Sequence, residues 1–260
     1  MLKFNKLFLL TYICVLASLA SGQRVLDKPV DEWSKADAME VLNRSAWAQI
    51  YQSTEGVAAA SAAAALRDQS DNRLAGSERG RTDRSGGPSP ILFRLHSGLP
   101  IRLALTRLNQ IGTGYDKMND KAKSEFNQSA RKLLECIPCQ NYYVVSITQF
   151  PNPSGDNVEE GIFQAMTLQQ MKGNVWLKNE KGETREVVEF IAPKKRGDSA
   201  VFFFARMDDK GKILINKDNK TLTFAFNQTF LTSSNRFGYL LPRQLDFKVS
   251  AITVGDLVVF

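Results

Sequence analysis

Cysteine is the residue type whose spacing suggests chemistry most directly in this chain. Cys136 and Cys139 form a C-x-x-C pair, whereas the third cysteine, Cys14, lies in the apolar N-terminal segment. Such a pair can form a disulfide that is either structural or redox-active. It supplies only two of the ligands that a tetrahedral zinc site needs, and no histidine follows Cys139 as haem attachment would require. The pattern therefore predicts a disulfide, with no metal and no cofactor.

The elements predicted around the cysteine pair favour a structural disulfide. A helix is predicted to end near Glu135, and a strand rich in β-branched and aromatic residues is predicted to begin near Asn141. The nucleophile of a thioredoxin-like site lies instead after a strand, at a helix N-terminus, where the helix dipole stabilises its thiolate. Because Cys136 follows a helix, the dipole should disfavour a reactive thiolate there. A redox-active pair stays open as an alternative.

The supply of histidine limits other catalytic mechanisms. His96 is the only histidine, and the residues around it form no nucleophile-elbow motif. Carboxylates could instead form an acid–base pair of the kind that cleaves glycosides. The candidates all lie beside turn residues; they are Glu159-Glu160, Asp208-Asp209, and Glu183 with Glu186. A hydrolase with a carboxylate pair is therefore a second alternative, while the sequence contains no P-loop or dinucleotide-binding signature.

One short basic cluster could contact an anionic surface. Lys194, Lys195 and Arg196 precede Gly197 and Asp198, which places them at a predicted turn between strands. Such a tip could bind anionic lipid or polysaccharide, but charged tips also keep sheet edges from pairing with other chains. The formal net charge of the chain is +7. In an exported protein, a basic excess of this size does not indicate nucleic acid as the partner.

The N-terminus has the pattern of a secretory signal peptide. Lys3 and Lys6 precede an apolar run over residues 7–20, which ends in the small residues Ser21 and Gly22. A positive start, a short apolar stretch and a small-residue exit are typical of export and cleavage. Cleavage is predicted after Gly22, and the apolar run is shorter than the roughly 20 residues that cross a bilayer as a helix. We therefore expect an extracytoplasmic protein, periplasmic or secreted, with no membrane span.

Helical periodicity dominates the first half of the chain, and strand patterns dominate the second. Helices are predicted near residues 34–43, 100–112 and 119–135, from capping residues and apolar spacings of three and four. Short β-type runs separated by turn residues are predicted at 91–95, 141–148, 175–178, 186–191, 200–206, 212–215, 222–226, 247–253 and 257–260. This distribution predicts an α+β fold with a largely antiparallel sheet in the second half. Two or three helices from the first half are expected to pack on that sheet.

The composition changes abruptly over residues 56–90. An alanine-rich run at 58–65 gives way to Arg, Asp, Ser and Gly, with almost no large apolar residue. Such a segment cannot bury enough apolar surface to offset its loss of conformational entropy on ordering. We therefore predict a signal peptide at 1–22 and a single α+β domain at 23–260, interrupted by a disordered insertion at about 56–90.

Two stretches of the chain resemble a group of uncharacterised exported bacterial proteins. The first contains Trp33, Ser34, a short alanine-containing helix and the run from Asn43 to Ala48, and the second runs from Cys136 to Val145. The resemblance extends loosely over the strand-rich C-terminal part. It implies export and a bacterial source, and it implies no particular activity.

The motifs taken together favour a protein that binds its target without catalysis. The sequence lacks a recognisable catalytic motif, so the leading hypothesis is an exported, soluble protein that binds or supports a component of the cell envelope or exterior. The expected partner is an envelope or extracellular ligand and not nucleic acid. The alternatives are an extracytoplasmic thiol-disulfide protein that uses Cys136 and Cys139, and the carboxylate hydrolase described above.

Limited proteolysis tests the predicted insertion. We expect trypsin to cut the mature protein first after Arg67, Arg73, Arg79, Arg81 or Arg84, because a disordered segment reaches the protease without unfolding. Mass spectrometry of the earliest fragments identifies the cleaved bonds. Early cleavage elsewhere, with these arginines resistant, would mean that the segment is packed.

Overall fold

One antiparallel β-sheet organises the fold. A computed structural model describes residues 21–53, 90–149, 163–195, 197–227, 229–230, 233, 241–254 and 257–259. The predicted insertion, apart from Pro90, and residues 1–20 of the predicted signal peptide lie outside the described residues. Within the described ranges the main sheet has eight strands, and all of its pairings are antiparallel. The prediction of an α+β fold with an antiparallel sheet is confirmed.

The elements of the described residues are as follows in chain order. The helices are α1 (Ser21–Leu26), α2 (Lys35–Arg44), α3 (Leu99–Thr113), α4 (Asp120–Glu135), α5 (Ile137–Asn141) and α6 (Leu168–Met171). The strands of the main sheet are β1 (Ala48–Tyr51), β2 (Ile91–Leu95), β3 (Tyr142–Gln149), β4 (Val175–Asn179), β5 (Thr184–Ile191), β6 (Ala200–Ala205), β7 (Thr221–Phe226) and β8 (Gln244–Lys248). A second, two-stranded sheet pairs β9 (Thr253–Val254) with β10 (Leu257–Val258). Among the described helices, none has the length and apolar composition needed to cross a bilayer.

The strand order combines both halves of the chain. It runs β1-β2-β3-β6-β5-β4-β7-β8, so strands that precede α3 extend a sheet whose remaining strands follow α5. The sheet was predicted in the second half, where six of its eight strands lie, and β1 and β2 extend it with strands from the first half. The physical reason is that β1 and β2 supply hydrogen-bonding partners along an edge that β3 would otherwise expose.

Local sequence signals explain where two helices begin and end. The Ser34 hydroxyl accepts a hydrogen bond from the backbone N–H of Asp37 at 3.1 Å, and the Asp37 carboxylate accepts one from the Ser34 N–H at 2.9 Å. The hydrogen bond from the Ser34 backbone is the largest cause that lowers the pKa of Asp37 to about 2. Gly114 ends α3 with a φ of 68°, a conformation that costs glycine little. The predicted boundaries of α2 and α3 therefore agree closely with the structure.

Phenylalanine rings fill the concave side of the sheet. The ring centroid of Phe224 on β7 lies 6.0 Å from that of Phe93 on β2, 5.5 Å from that of Phe202 on β6 and 5.7 Å from that of Phe204 on β6. All of these side chains are fully buried, and their edge-to-face contacts each add about 0.5–1.5 kcal/mol beyond the burial of area. Because β2 and β7 are not neighbours in the sheet, their rings can meet only if the sheet curls around them.

Side chains join the two edge strands of the curled sheet. Gln49 on β1 donates from Nε2 to the carbonyl oxygen of Asp246 on β8 at 2.7 Å. The indole N–H of Trp47, next to β1, donates to the carbonyl oxygen of Val259 at 2.8 Å. The first bond joins residues that are 197 positions apart in the sequence, and the second joins residues that are 212 positions apart. The C-terminal segment therefore holds the curl together at its open edge.

The segment after β6 differs from its prediction. Residues 212–215 were expected as a strand, but they are irregular and form one isolated bridge at Ile213. Leu214 and Ile215 are buried, and the N–H of Ile215 donates to the hydroxyl of Tyr143 on β3 at 3.3 Å. The apolar residues of this segment thus pack into the core from a loop, which explains how a strand-like composition occurs without a ladder.

The C-terminal strands are shorter than predicted. The predicted strand at 247–253 divides into the end of β8, a 3₁₀ turn over Val249–Ile252, and β9. Val249 and Ile252 are both fully buried. In a strand, residues three positions apart would point to opposite faces, so the turn is what lets both side chains reach the core.

Truncating Phe224 tests whether the curled sheet depends on its aromatic core. We expect Phe224→Ala to lower the free energy of unfolding by about 3–5 kcal/mol, because the remaining rings cannot collapse into the cavity. Denaturant titration followed by circular dichroism measures the loss. The control is Val188→Ala on β5, where the side chain is 42% exposed and the expected change is within about 0.5 kcal/mol. Equal losses for the two variants would contradict the central position of Phe224.

Candidate functional site

A recess formed by β4, β7, β8 and the start of β5 offers a geometry suited to binding. Its volume is about 290 Å³, and it is lined by Trp176, Lys178, Thr184, Ala225, Phe226, Arg243 and Gln244. We call it the Trp176 recess. Its lining combines two aromatic residues, two cationic residues, an amide and a hydroxyl, and a few polar groups in an otherwise apolar site can orient a small ligand.

Strand alternation places Trp176 and Lys178 on the face opposite the phenylalanine core. Along β4 these two side chains are half-buried, and the other residues of the strand are buried. Successive side chains of a strand point to opposite faces, so the indole lies on the outer face of the sheet. Trp176 is paired with Glu186 on β5 and with Ala225 on β7. The methyl side chain of Ala225 leaves room beside the ring.

The polar groups of the Trp176 recess are mainly hydrogen-bond donors. Lys178 donates from Nζ to Oε1 of Gln244 at 3.1 Å, while Thr184, Arg243 and Gln244 are exposed. The residues that line the recess include no aspartate and no glutamate. Ammonium, guanidinium and amide N–H groups all donate, so the recess matches a ligand that carries acceptor groups and negative charge.

The structure brings Cys136 and Cys139 together in a local arrangement that contains one element more than was predicted. Their sulfur atoms lie at disulfide distance, and their Cα atoms are 5.2 Å apart. Cys136 ends α4 with a φ of 40°, and the short helix α5 follows it before β3 begins. The predicted helix end near Glu135 and strand start near Asn141 agree with the structure, and α5 is an additional helical turn between them. Pro138 explains the extra helical turn, because proline is favoured in the first turn of a helix, where its missing N–H has no partner to lose.

The two cysteines differ in their access to solvent. Cys139 is 3% exposed, whereas Cys136 is half-buried and the adjacent Ile137 is 70% exposed. A disulfide that exchanges with another thiol needs a sulfur that the attacking thiolate can reach. Burial of Cys139 therefore restricts exchange to the Cys136 side of the bond.

Arg102 on α3 holds the C-terminal end of α4. Its guanidinium donates to the carbonyl oxygen of Leu134, where a cation interacts favourably with the helix dipole. Arg102 is 6% exposed, and burial, followed by the nearby charge of Arg206, lowers its pKa. Because no described residue of α4 is buried, this contact is an important tie between α4 and the rest of the fold.

The environment of His96 indicates a structural role for this residue rather than a catalytic one. Burial is the largest cause that lowers its pKa, and the charges of Arg94 and Arg102 lower it further. The imidazole is therefore neutral at pH 7. The neighbouring Ser97 is fully buried, and its hydroxyl accepts a hydrogen bond from the N–H of Val144 at 3.2 Å. A serine in this position supports the backbone and is not presented to a substrate.

Two of the candidate carboxylates, Glu183 and Asp208, hold turns, whereas Glu186 on β5 and Asp209 are exposed. Glu183 accepts hydrogen bonds from Nδ2 of Asn179 at 2.8 Å and from Nζ of Lys212, and the Lys212 bond is the largest cause that lowers its pKa. Asp208 accepts from the backbone N–H of Lys212 at 2.8 Å, which is the largest cause of its lowered pKa. A carboxyl group with a lowered pKa does not hold a proton at neutral pH, as a general acid must.

The basic tip predicted at Lys194 and Lys195 lies in the loop between β5 and β6. Both side chains are exposed, and their backbone N–H groups donate to Oδ2 of Asp198 at 3.3 and 3.2 Å. Arg196 lies outside the described residues, as does the candidate pair Glu159-Glu160. Contact of this tip with an anionic surface stays a prediction.

The sequence-based reasoning missed the Trp176 recess. The available signal was a tryptophan at an outward position of a strand that otherwise alternates buried with polar residues, since large aromatic residues usually prefer the buried face. Arg243 and Gln244 could not be assigned to the same site from the sequence, because pairing of β7 with β8 brings them there. In the described part of the chain, no group of three or more His, Cys, Asp or Glu side chains is placed to hold a metal ion.

Comparisons with known proteins assign no family to the chain. No protein-family model, no curated protein and no solved structure matches it. The geometry of the Trp176 recess is therefore the basis of the function proposed below.

Replacing both cysteines tests the structural disulfide. We expect Cys136→Ser/Cys139→Ser to lower the free energy of unfolding by about 2 kcal/mol, the chain-entropy value for so short a loop. The native wild-type protein should not react with iodoacetamide, whereas the reduced and denatured protein, as a control, should be labelled at both positions. Rapid labelling of native Cys136 after mild reduction at neutral pH would instead indicate a reactive thiolate.

Proposed function

We propose that the chain is an exported, soluble, non-enzymatic protein that binds a component of the cell envelope or exterior through the Trp176 recess. The N-terminal pattern over residues 1–22 supports export, and the lining of the recess supports binding. The observation that carries the proposal is the half-buried indole of Trp176, set among polar groups on the outer face of the sheet.

The partly exposed indole of Trp176 could contribute apolar burial to the binding of a ligand. A tryptophan side chain provides a large apolar area together with one N–H donor, a combination that is enriched where proteins bind partners. Trp33 and Trp47 are 1% and 2% exposed and therefore serve the core. Trp176 is the tryptophan whose remaining exposed area is available to a ligand, and covering it would add apolar burial to any polar contacts.

Binding agrees better with the described chemistry than the two catalytic alternatives. Glu183 and Asp208 have lowered pKa values and hold turns, which gives no support to a carboxylate hydrolase. Cys139 is buried, which gives little support to a thiol-disulfide protein, although the half-buried Cys136 keeps that alternative testable by the labelling experiment above.

Substitution of Trp176 tests the proposed function. The mature chain is presented with a panel of neutral and acidic glycans, peptides and phospholipid vesicles, and binding is followed by thermal shift and tryptophan fluorescence. We expect at least one class to stabilise the wild type, and Trp176→Ala to weaken that binding about thirtyfold or more, because the loss of a buried aromatic contact costs about 2 kcal/mol or more. Trp176→Phe should retain part of the affinity.

The matched control for this experiment is Val188→Ala on the neighbouring strand β5, where the side chain is exposed and does not line the recess. Its binding should equal that of the wild type. If every ligand that binds does so with equal affinity for the wild type and Trp176→Ala, the Trp176 recess is not the binding site and the proposal fails.

A further inference from the structure

We infer that the Trp176 recess binds a carboxylate-bearing sugar unit of an acidic polysaccharide. This inference rests on the proposed function and narrows it to one class of ligand. It follows from the charge of the recess, from the direction in which its polar groups donate, and from its size.

The charge of the recess selects an anion. Lys178 and Arg243 are the charged residues of the lining, and the exposed Glu186, which is paired with Trp176 on β5, lies beside the recess but is not part of its lining. The described salt bridges of the chain include neither Lys178 nor Arg243. A carboxylate placed between an ammonium and a guanidinium would accept charge-assisted hydrogen bonds, which are stronger than bonds between neutral groups.

The hydrogen bond within the recess fixes the orientation of its amide. Because Oε1 of Gln244 accepts a hydrogen bond from Nζ of Lys178 at 3.1 Å, the N–H groups of the amide remain available to a ligand. The Thr184 hydroxyl can donate or accept. The recess therefore offers several donors to a ligand rich in oxygen acceptors, as the hydroxyl, ring and carboxylate oxygens of an acidic sugar are.

The indole adds the apolar surface that a sugar ring requires. One face of a pyranose presents C–H groups, and a flat aromatic ring is a surface against which such a face can pack while the ring oxygens remain at the rim. Trp176 lies opposite the small Ala225 in the ladder, so the space beside the indole is not filled by a long side chain of β7. An inorganic anion would use the two cations but would leave this surface uncovered.

The size of the recess fits one sugar unit of a longer chain. Its volume of about 290 Å³ is near the lower limit of the roughly 300–1,000 Å³ found for sites that hold drug-sized ligands. The recess is partly open to solvent, so neighbouring units of a polymer could continue outside it. Export, as proposed above, would bring the protein to the compartment in which such polymers occur.

Quenching of tryptophan fluorescence provides a direct measurement of this binding. Since Trp33 and Trp47 are buried, acrylamide quenching in the native protein reports mainly on Trp176. The probes are trigalacturonate, a hyaluronan tetrasaccharide and, as a neutral match, the methyl ester of trigalacturonate. We expect at least one acidic probe to protect Trp176 from acrylamide, with the ester about tenfold weaker than trigalacturonate if that probe binds.

Charge variants connect the binding to the recess. Lys178→Gln and Arg243→Gln should each lower the affinity for the acidic probe about tenfold. Higher salt should lower this affinity further. The control is Lys248→Gln at the far end of β8, an exposed lysine outside the lining, whose affinity should stay within about twofold of the wild type. Circular dichroism verifies that each variant is folded.

The outcomes separate this inference from the proposed function. Binding of neutral glycans, peptides or vesicles that depends on Trp176, without binding of either acidic probe, would overturn the inference and retain the proposed function. Equal affinity for trigalacturonate and its ester would show that the recess does not recognise the carboxylate, and would overturn the inference. Acidic probes that bind Trp176→Ala as tightly as the wild type would overturn both, and would direct attention to another basic surface. Failure of both acidic probes to bind also overturns the inference.

Discussion

The packing of Phe224 against Phe93, Phe202 and Phe204 is the interaction on which the rest of the structure depends. These rings come from strands β2, β6 and β7, and their centroids lie between 5.5 and 6.0 Å from that of Phe224. A flat sheet would hold β2 and β7 far apart, since four strands separate them in the sheet order and neighbouring strands are about 4.8 Å apart. The curl is therefore a consequence of burying aromatic area on one face, and hydrophobic burial is the dominant favourable term in folding.

Curling has two consequences for the remainder of the chain. It brings the edge strands β1 and β8 close enough for Gln49 to reach the backbone of Asp246 and for Trp47 to reach that of Val259. It also commits one face of each central strand to the core, so that the alternate residues of β4 must face outward. The Trp176 recess is built from those outward residues together with neighbours from β5, β7 and β8. The candidate site thus exists because the opposite face of the same strands is committed to the buried core.

Most of the polar side chains described above hold turns or the ends of helices, whereas those that line the Trp176 recess do not. Ser34, Glu183 and Asp208 each have partners within a few residues or in an adjacent turn, and Arg102 ties the end of α4 to α3. Cys136 and Cys139 lie at disulfide distance in the turn that leads from α4 into α5. In the recess, by contrast, two cationic side chains and an indole converge on a space that is large enough for a ligand. This difference is why we regard the recess as a candidate binding site and the other polar side chains as structural.

The sequence by itself determined the features that depend on neighbours along the chain. Ser34 with Asp37 marked the start of α2, Gly114 marked the end of α3, and alternating or β-branched runs marked β3 to β7, because capping and periodicity are local properties. Tertiary structure decided what depends on distant segments. Residues 212–215 have the composition of a strand but pack as a loop against Tyr143, and Arg243 joins Trp176 only through the pairing of β4 with β7 and of β7 with β8. Register between strands that are far apart in sequence is set by burial on a shared face, and a single sequence does not display that information.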